Sequence, residues 1–225
     1  MEFKLTNARV GRYNVSVIKD DQYIGRCLLN GGEWDGWMRQ HLQLITDPRK
    51  DILDVGGNIG WNALMFSEYG TVHTFEPVYH NIIHKNVDQN VTDHPIIVYP
   101  YALSSTPGTS DIWIPAIEDG VCNYGGTAIN KTTQTRPMQI ELKRLDDVYS
   151  GTPCLIKIDV EGHELEVLRG AEQTLRKHYP NIYIEIFEFD INPATQFLHE
   201  LGYHKCATCP DSNYLFIHKS NLMKY

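Results

Sequence analysis

The chain has 225 residues, of which 42% are hydrophobic and 21% charged, as expected for one sizeable globular domain. Its formal net charge of −8 argues against a nucleic-acid backbone as the main partner. No run of about 18 apolar residues is present, which predicts no transmembrane helix, and the first residues lack the apolar core of a signal peptide, which predicts a cytoplasmic location.

The first 50 residues predict an N-terminal extension, a β-hairpin plus a helix, packed on a main domain of residues 51–225. Apolar residues at 15–18 predict a strand, and residues 23–26 a second strand that pairs back on it. A helix is predicted from Glu33 onwards, with Trp34 and Trp37 on one stripe. These tryptophans either line the mouth of a substrate site or pack in the core, as aromatic stripes usually do.

A glycine turn follows the apolar run 52–55, which is too short for a helix and predicts a strand. A strand, a glycine turn and a helix form a typical cofactor-binding unit, because glycines let the backbone approach a ligand closely. Gly57 and Gly60 fit the last two glycines of the dinucleotide fingerprint G-x-G-x-x-G, but Val55 occupies the place of the first. Gly56 completes the turn.

Two acids accompany this turn. Asp54 stands at the strand end, beside Asn58 in the loop, where a carboxylate would repel a pyrophosphate but suits an ammonium group or hydroxyls. Glu76, followed by Pro77, lies 22 residues after Asp54, at the end of the next apolar run. An acid at this spacing typically accepts the hydrogen bonds of a ribose diol. The pattern favours S-adenosylmethionine over NAD; the alternative is a tight turn without a ligand.

The alternation of strands and helices continues and then lapses. A third strand is predicted at 95–101, and Tyr101, Ala102 and Leu103 lie at its end, where an adenine edge would rest. Residues 104–137 are predicted to form an insertion, because much of this stretch lacks an apolar period. Such a stretch is either a lid or binding loop, or a surface excursion.

The C-terminal half restores the alternation. Strands are predicted at 154–159, 182–188, 203–206 and 214–218, and helices at 165–175 and 193–201. The last two strands are predicted to pair with each other in antiparallel orientation. The pattern predicts an α/β fold with a mostly parallel sheet and helices on both faces.

A second group of titratable residues follows the fourth core strand. Strand alternation places Lys157 and Asp159 on one face, and a buried lysine needs a partner such as Asp159 or Glu185. Glu161, His163 and Glu185 are candidate general bases, and histidine has the most suitable ordinary pKa.

Three acids at neighbouring strand ends are candidate metal ligands. Asp159, Glu185 and Glu188 offer the hard oxygen atoms that Mg²⁺ prefers. The same acids would equally bind sugar hydroxyls directly, so the pattern leaves both interpretations open.

Together these segments resemble the FkbM-like family of S-adenosylmethionine-dependent methyltransferases. The resemblance rests on Asp54-Val-Gly-Gly-Asn-Ile-Gly60, Phe75-Glu76-Pro77, Tyr101-Ala102-Leu103-Ser104, Ile156-Lys-Ile-Asp-Val-Glu-Gly-His-Glu164 and Val167-Leu-Arg-Gly170. Gly57 replaces the alanine usual in the family's loop, which the resemblance implies to be a harmless change. His163 stands where the family varies, so no catalytic role is inherited for it.

The resemblance implies a Rossmann-like class I methyltransferase fold, with a seven-stranded, mostly parallel sheet and an antiparallel last strand. It implies O-methylation with S-adenosylmethionine, commonly of a sugar or polyketide hydroxyl. The cofactor residues would be Asp54, Gly56, Gly57, Asn58, Gly60, Glu76, Pro77, Tyr101, Ala102, Leu103 and Asp159. From the residues themselves, the candidate catalytic residues are Lys157, Asp159, Glu161, His163 and Glu185.

Two other functions compete with this one. A nicotinamide-dependent oxidoreductase is disfavoured by Asp54 and by the missing first glycine. A binding protein that kept the pocket but lost the chemistry is disfavoured by the intact acidic cluster.

Overall fold

The computed structural model describes residues 3–129 and 137–222. Its strands are β1 (Leu5–Val10), β2 (Tyr13–Ile18), β3 (Asp51–Val55), β4 (Thr71–Phe75), β5 (Ile96–Tyr99), β6 (Ala102–Leu103), β7 (Gly108–Ile112), β8 (Met138–Lys143), β9 (Pro153–Ile158), β10 (Asn181–Glu185), β11 (Tyr203–Thr208) and β12 (Asn213–His218). Its α-helices are α1 (Ile24–Leu29), α2 (Arg39–Ile45), α3 (Trp61–Phe66), α4 (His80–Asp88), α5 (Leu145–Val148), α6 (Glu164–Gly170), α7 (Glu172–His178) and α8 (Pro193–Glu200).

The central sheet has seven strands in the order β11-β12-β10-β9-β3-β4-β5. Strand β3 is parallel to β4 and β9, and β12 is antiparallel to both of its neighbours. This confirms the predicted sheet with its antiparallel last strand. The strand order reverses between β3 and β9, and in such sheets ligands bind in the crevice at the carboxyl ends of the strands beside this reversal.

The central strand is buried on both faces, because successive side chains of a strand point to opposite sides. Leu53 and Val55 pack in one core with Leu168 of α6. Ile52 faces the other way and packs in a second core with Phe66 of α3. Helices therefore cover both faces, as predicted, and the strand ends are left as the place where a ligand binds in such a sheet.

The N-terminal hairpin uses other strands than those predicted. Strand β1 pairs with β2, whereas residues 23–26, predicted as a strand, belong largely to α1. The Asp21 carboxylate accepts a hydrogen bond from the Gly25 N–H at 2.6 Å and so holds the first turn of α1. The helix predicted from Glu33 begins later, because a 3-10 turn at Gly36–Met38 precedes α2. The division into an extension and a main domain stays a prediction.

Two elements of the C-terminal half differ from the predicted ones. The helix predicted at 165–175 is two helices, α6 and α7, separated at Ala171. The strand predicted at 182–188 ends at Glu185, and Glu188 turns away with a left-handed φ of 53°.

Of the predicted insertion, β7 joins the flanking strands β6 and β8 in a second sheet of three strands, in the order β6-β8-β7. Residues 130–136 of the predicted lid lie outside the described residues. In the ranges 3–129 and 137–222, no helix is long and apolar enough to cross a membrane.

Candidate active site

The glycine loop brings the carboxyl ends of β3 and β9 into contact. Gly56 has a φ of +88°, and a Cβ atom on it would lie 1.8 Å from the backbone oxygen of Asp159. The Asp159 N–H donates a hydrogen bond to the Val55 oxygen at 3.0 Å. Only a residue without a side chain fits between these strand ends, so the packing of the sheet itself requires glycine here.

Gly57 leaves room for a buried pair beneath the loop. A Cβ atom on Gly57 would lie 2.1 Å from Thr74 Oγ1, and this hydroxyl donates to Asp54 Oδ2 at 3.1 Å. Burial raises the pKa of Asp54 to about 6, although the charge of Lys157 opposes the shift. Thr74 thus fills the space that an alanine side chain at position 57 would need.

Gly57→Ala is expected to lower the free energy of unfolding by about 1–3 kcal/mol, because Thr74 must move and release Asp54 from its hydrogen bond. The Thr74→Ala background already lacks the obstructing hydroxyl, so the same glycine substitution should cost less there. Urea unfolding of both single variants and the double variant measures this coupling. Strictly additive effects would contradict the steric explanation.

Glu76 ties the end of β4 to the glycine loop. Its carboxylate accepts hydrogen bonds from the N–H groups of Asn58 at 3.0 Å, Val78 at 2.8 Å and Tyr79 at 3.1 Å. Burial raises the pKa of Glu76 to about 7 against the effect of these donors. A carboxylate has about four acceptor positions, so Glu76, which lines the cavity described below, has capacity for a ligand hydroxyl.

A buried ion pair lies at the end of β9. The Lys157 side chain is 3% exposed, and its Nζ donates to Asp159 Oδ2 at 2.9 Å. Burial lowers the pKa of Lys157, but the negative charges of Asp159, Asp35 and Asp54 outweigh it and raise the pKa above its ordinary value. Lys157 is therefore charged, and Asp159 is its partner, one of the two that the sequence predicted.

Three acids converge beyond β9 and β10. Carboxylate oxygens of Asp159, Glu161 and Glu185 lie within 4.8 Å of one another. Burial, with the charges of Asp159 and Glu161, raises the pKa of Glu185. Glu188 is exposed and lies outside this cluster, so the predicted metal trio of Asp159, Glu185 and Glu188 is wrong: the chain turns away after β10. The Lys157 ammonium beside Asp159 also disfavours a second cation there.

His163 stands in the loop between β9 and α6. Its Nε2 lies 3.0 Å from Ser104 Oγ, and its buried Nδ1 has no hydrogen-bond partner among the described residues. Burial lowers the pKa of His163, and the charge of Glu166 only partly opposes this. The imidazole is therefore neutral near pH 7 and able to accept a proton.

A cavity of about 490 Å³ joins these groups at the carboxyl ends of the strands. The predicted site residues on its wall are Gly56, Gly57, Asn58, Glu76, Pro77, Ala102, Leu103, Lys157, Asp159, Glu161, His163 and Glu185. Three predicted cofactor residues lie off the wall. Asp54 is buried below the loop, Gly60 packs against Ile83, and Tyr101 packs beside Phe75.

Two segments without a recognisable site motif supply further residues of the cavity wall. Tyr23, Ile24 and Trp34 come from the N-terminal region, and Thr127 comes from the stretch between β7 and β8. The Thr127 hydroxyl lies 2.7 Å from Tyr79 Oη, which ties this stretch to the helix after Glu76.

Of the two tryptophans considered from the sequence, only Trp34 lines the cavity. Trp37 packs against Tyr183, with ring centroids 5.4 Å apart. Trp61 and Asn62, at the start of α3, also line the cavity and were not predicted as site residues.

The methyltransferase FkbM domain family matches residues 54–205, which is more than half of the chain. The chain belongs to this FkbM family. The matched region contains the glycine loop, Glu76 and the Lys157–Asp159 pair, and begins after the segment that carries Trp34.

Curated relatives of this FkbM domain are named as methyltransferases. The hexuronic acid methyltransferase AglP of Haloferax volcanii is 35% identical over 139 residues, which cover 59% of this chain and 55% of AglP. Methyltransferase sdnD of Sordaria araneosa is 29% identical over 171 residues, which cover 61% of this chain and 66% of sdnD. The chain thus spans little more than half the length of AglP.

A crystal structure of methyltransferase FkbM from Methylobacillus flagellatus is also similar. It matches 75% of this chain and 43% of its own, with 18% identity and a TM-score of 0.49. Nothing in these comparisons supports the predicted divalent cation.

Proposed function

We propose that this protein transfers a methyl group from S-adenosylmethionine to a hydroxyl group of a sugar or similar acceptor. The observation that carries the proposal is the meeting of the glycine loop, Glu76 and the Lys157–Asp159 pair on one cavity. Similarity to AglP, a hexuronic acid methyltransferase, supports a sugar acceptor.

The residues present fit the proposed methyl donor. Gly56 and Gly57 present only backbone to the cavity, and Glu76 retains acceptor capacity for a ribose hydroxyl. S-adenosylmethionine, when bound, supplies an electrophilic methyl group on a positively charged sulfur. An acidic wall favours that charge, whereas it would repel the pyrophosphate of NAD.

The wall residues divide the remaining tasks. Asp159, fixed by Lys157, accepts a hydrogen bond from the acceptor hydroxyl and orients its oxygen, which is the positioning that methyl transfer needs. His163, which lies on the same wall with a neutral imidazole, is the candidate base for the hydroxyl proton. Glu185 is less suited to act as the base near neutral pH, because its raised pKa disfavours the deprotonated form that could accept a proton.

S-adenosylhomocysteine, the demethylated product, should stabilise the protein and NADH should not. At a hundredfold excess over Kd, binding adds about 2.7 kcal/mol, which is roughly 5–10 °C in Tm for a chain of this size. Differential scanning fluorimetry measures both ligands side by side. Stabilisation by NADH alone would favour an oxidoreductase; binding of S-adenosylhomocysteine without its formation from any hydroxyl acceptor would favour a non-catalytic binding protein.

The acceptor should be uncharged rather than anionic. Lys157 is the only lysine or arginine on the described part of the wall, and Asp159 already engages it, whereas Glu161 and Asp211 are acids. A carboxylate on the acceptor would meet like charge. In a rate assay, a neutral methyl hexoside should be methylated about tenfold faster than the hexuronide of the same sugar, for a difference of about 1.4 kcal/mol. Faster methylation of the hexuronide would contradict this preference.

A further inference from the structure

The residues just before α2 reach the site from outside the matched family region, which begins at residue 54. Trp34 lines the cavity, and its carbonyl oxygen accepts a hydrogen bond from Trp61 Nε1 at 2.7 Å. The neighbouring Asp35 Oδ2 accepts a hydrogen bond from Asn62 Nδ2 at 3.0 Å. Trp61 and Asn62 are the first two residues of α3. Trp34 and Asp35 therefore hydrogen-bond to the start of the helix that directly follows the glycine loop.

The backbone at Asp35 has an unusual conformation. Its φ is +54°, in the left-handed region that residues with a side chain rarely adopt. Such a conformation costs roughly 1–3 kcal/mol and persists where the surroundings enforce it. Met38, fully buried three residues later, anchors the segment in the core. The turn thereby aims the Asp35 carboxylate at Asn62.

Asp35 also takes part in the charge balance of the site. Lys157 carries three N–H donors, and one of them is used by Asp159. The negative charges of Asp35 and Asp54 act on the same ammonium, so acids from three separate segments favour the charged form of one buried lysine. Removing one of them changes how firmly the ammonium holds Asp159.

We propose that Asp35 is a positioning residue for methyl transfer, which fixes the first turn of α3 through Asn62 and steadies the buried Lys157–Asp159 pair. The inference rests on the proposed function for its catalytic consequence, but its structural part stands independently. The methyl-transfer site then extends beyond the family region, and a fragment beginning at residue 54 would lack part of it.

The test compares Asp35→Asn with Glu33→Gln in the full chain. Glu33 lies in the same segment and pairs with Arg39 at 2.7 Å, away from the cavity wall, so Glu33→Gln removes a nearby charge without touching Asn62 or Lys157. We expect Asp35→Asn to lower kcat at least about tenfold, with the acceptor KM and the Kd of S-adenosylhomocysteine within about threefold of wild type. Glu33→Gln should leave all three unchanged.

A second measurement needs no activity. Hydrogen exchange of the backbone amides of residues 57–64 should be faster in Asp35→Ala, which removes the acceptor of the Asn62 hydrogen bond, than in wild type, and unchanged in Glu33→Gln. Equal exchange in Asp35→Ala and wild type would overturn the inference, as would an unchanged kcat in Asp35→Asn. If the wild-type chain methylates no hydroxyl acceptor, the proposed function fails, whereas the exchange comparison still decides whether Asp35 fixes the start of α3.

Discussion

Replacing Gly56 with alanine is expected to abolish binding of S-adenosylhomocysteine and to lower the free energy of unfolding by about 3 kcal/mol or more. The new Cβ would lie 1.8 Å from the Asp159 oxygen, and the φ of +88° disfavours any side chain. The ends of β3 and β9 must then separate, which breaks the hydrogen bond from the Asp159 N–H to the Val55 oxygen. Urea unfolding and isothermal titration calorimetry measure the two effects.

Gly11→Ala provides the matched control. Gly11 also has a positive φ, of +53°, but no atom lies within 4 Å of its would-be Cβ. Alanine there should lower the free energy of unfolding by roughly 1 kcal/mol, because of its unfavourable backbone conformation alone, and leave ligand binding intact. Similar losses at both positions would show that backbone conformation alone, and not contact between the strands, explains Gly56.

Asp159→Asn is expected to reduce turnover at least about 100-fold. The Kd of S-adenosylhomocysteine should stay within a few fold of the wild-type value. Asparagine keeps the size and one acceptor oxygen of aspartate but lacks the charge that holds the Lys157 ammonium at 2.9 Å. The acceptor hydroxyl then loses its orienting partner. Steady-state release of S-adenosylhomocysteine, measured beside calorimetric binding, separates the two steps.

The control for this variant is Asp47→Asn, which breaks an exposed ion pair with Arg49 and should change neither activity nor binding. Leaving a buried lysine without its partner costs about 3–5 kcal/mol. If Asp159→Asn unfolds at the assay temperature, the double variant Lys157→Met with Asp159→Asn removes both charges and restores a testable protein. Full turnover in either variant would refute the placement of Asp159.

The parts of the site that could be predicted from sequence are local ones. Val55, Gly56 and Gly57 form a strand end and turn within a few residues, and Glu76 ends the very next strand, so their order along the chain already predicts a shared crevice. The same applies to Lys157 and Asp159, because alternation within one strand puts both on one face.

Other contacts could not be predicted, because they join segments far apart in the chain. Asp35 meets Asn62 only after α2 and α3 have packed on the sheet. Glu188 looked equivalent to Glu185, but β10 ends at Glu185 and the chain then turns Glu188 to solvent. The spacing of residues along the sequence shows neither the Asp35–Asn62 contact nor the end of β10.

The amino-acid sequence by itself determined the α/β alternation, the glycine turn and the acids at the strand ends, because each depends on neighbouring residues and on the period of a strand or helix. Only the tertiary structure decided which acid holds the buried lysine, why Gly57 must leave space for Thr74, and which carboxylates have a raised pKa. Those properties depend on burial and on distances between chain segments, and both are set when the helices close over the two faces of the sheet.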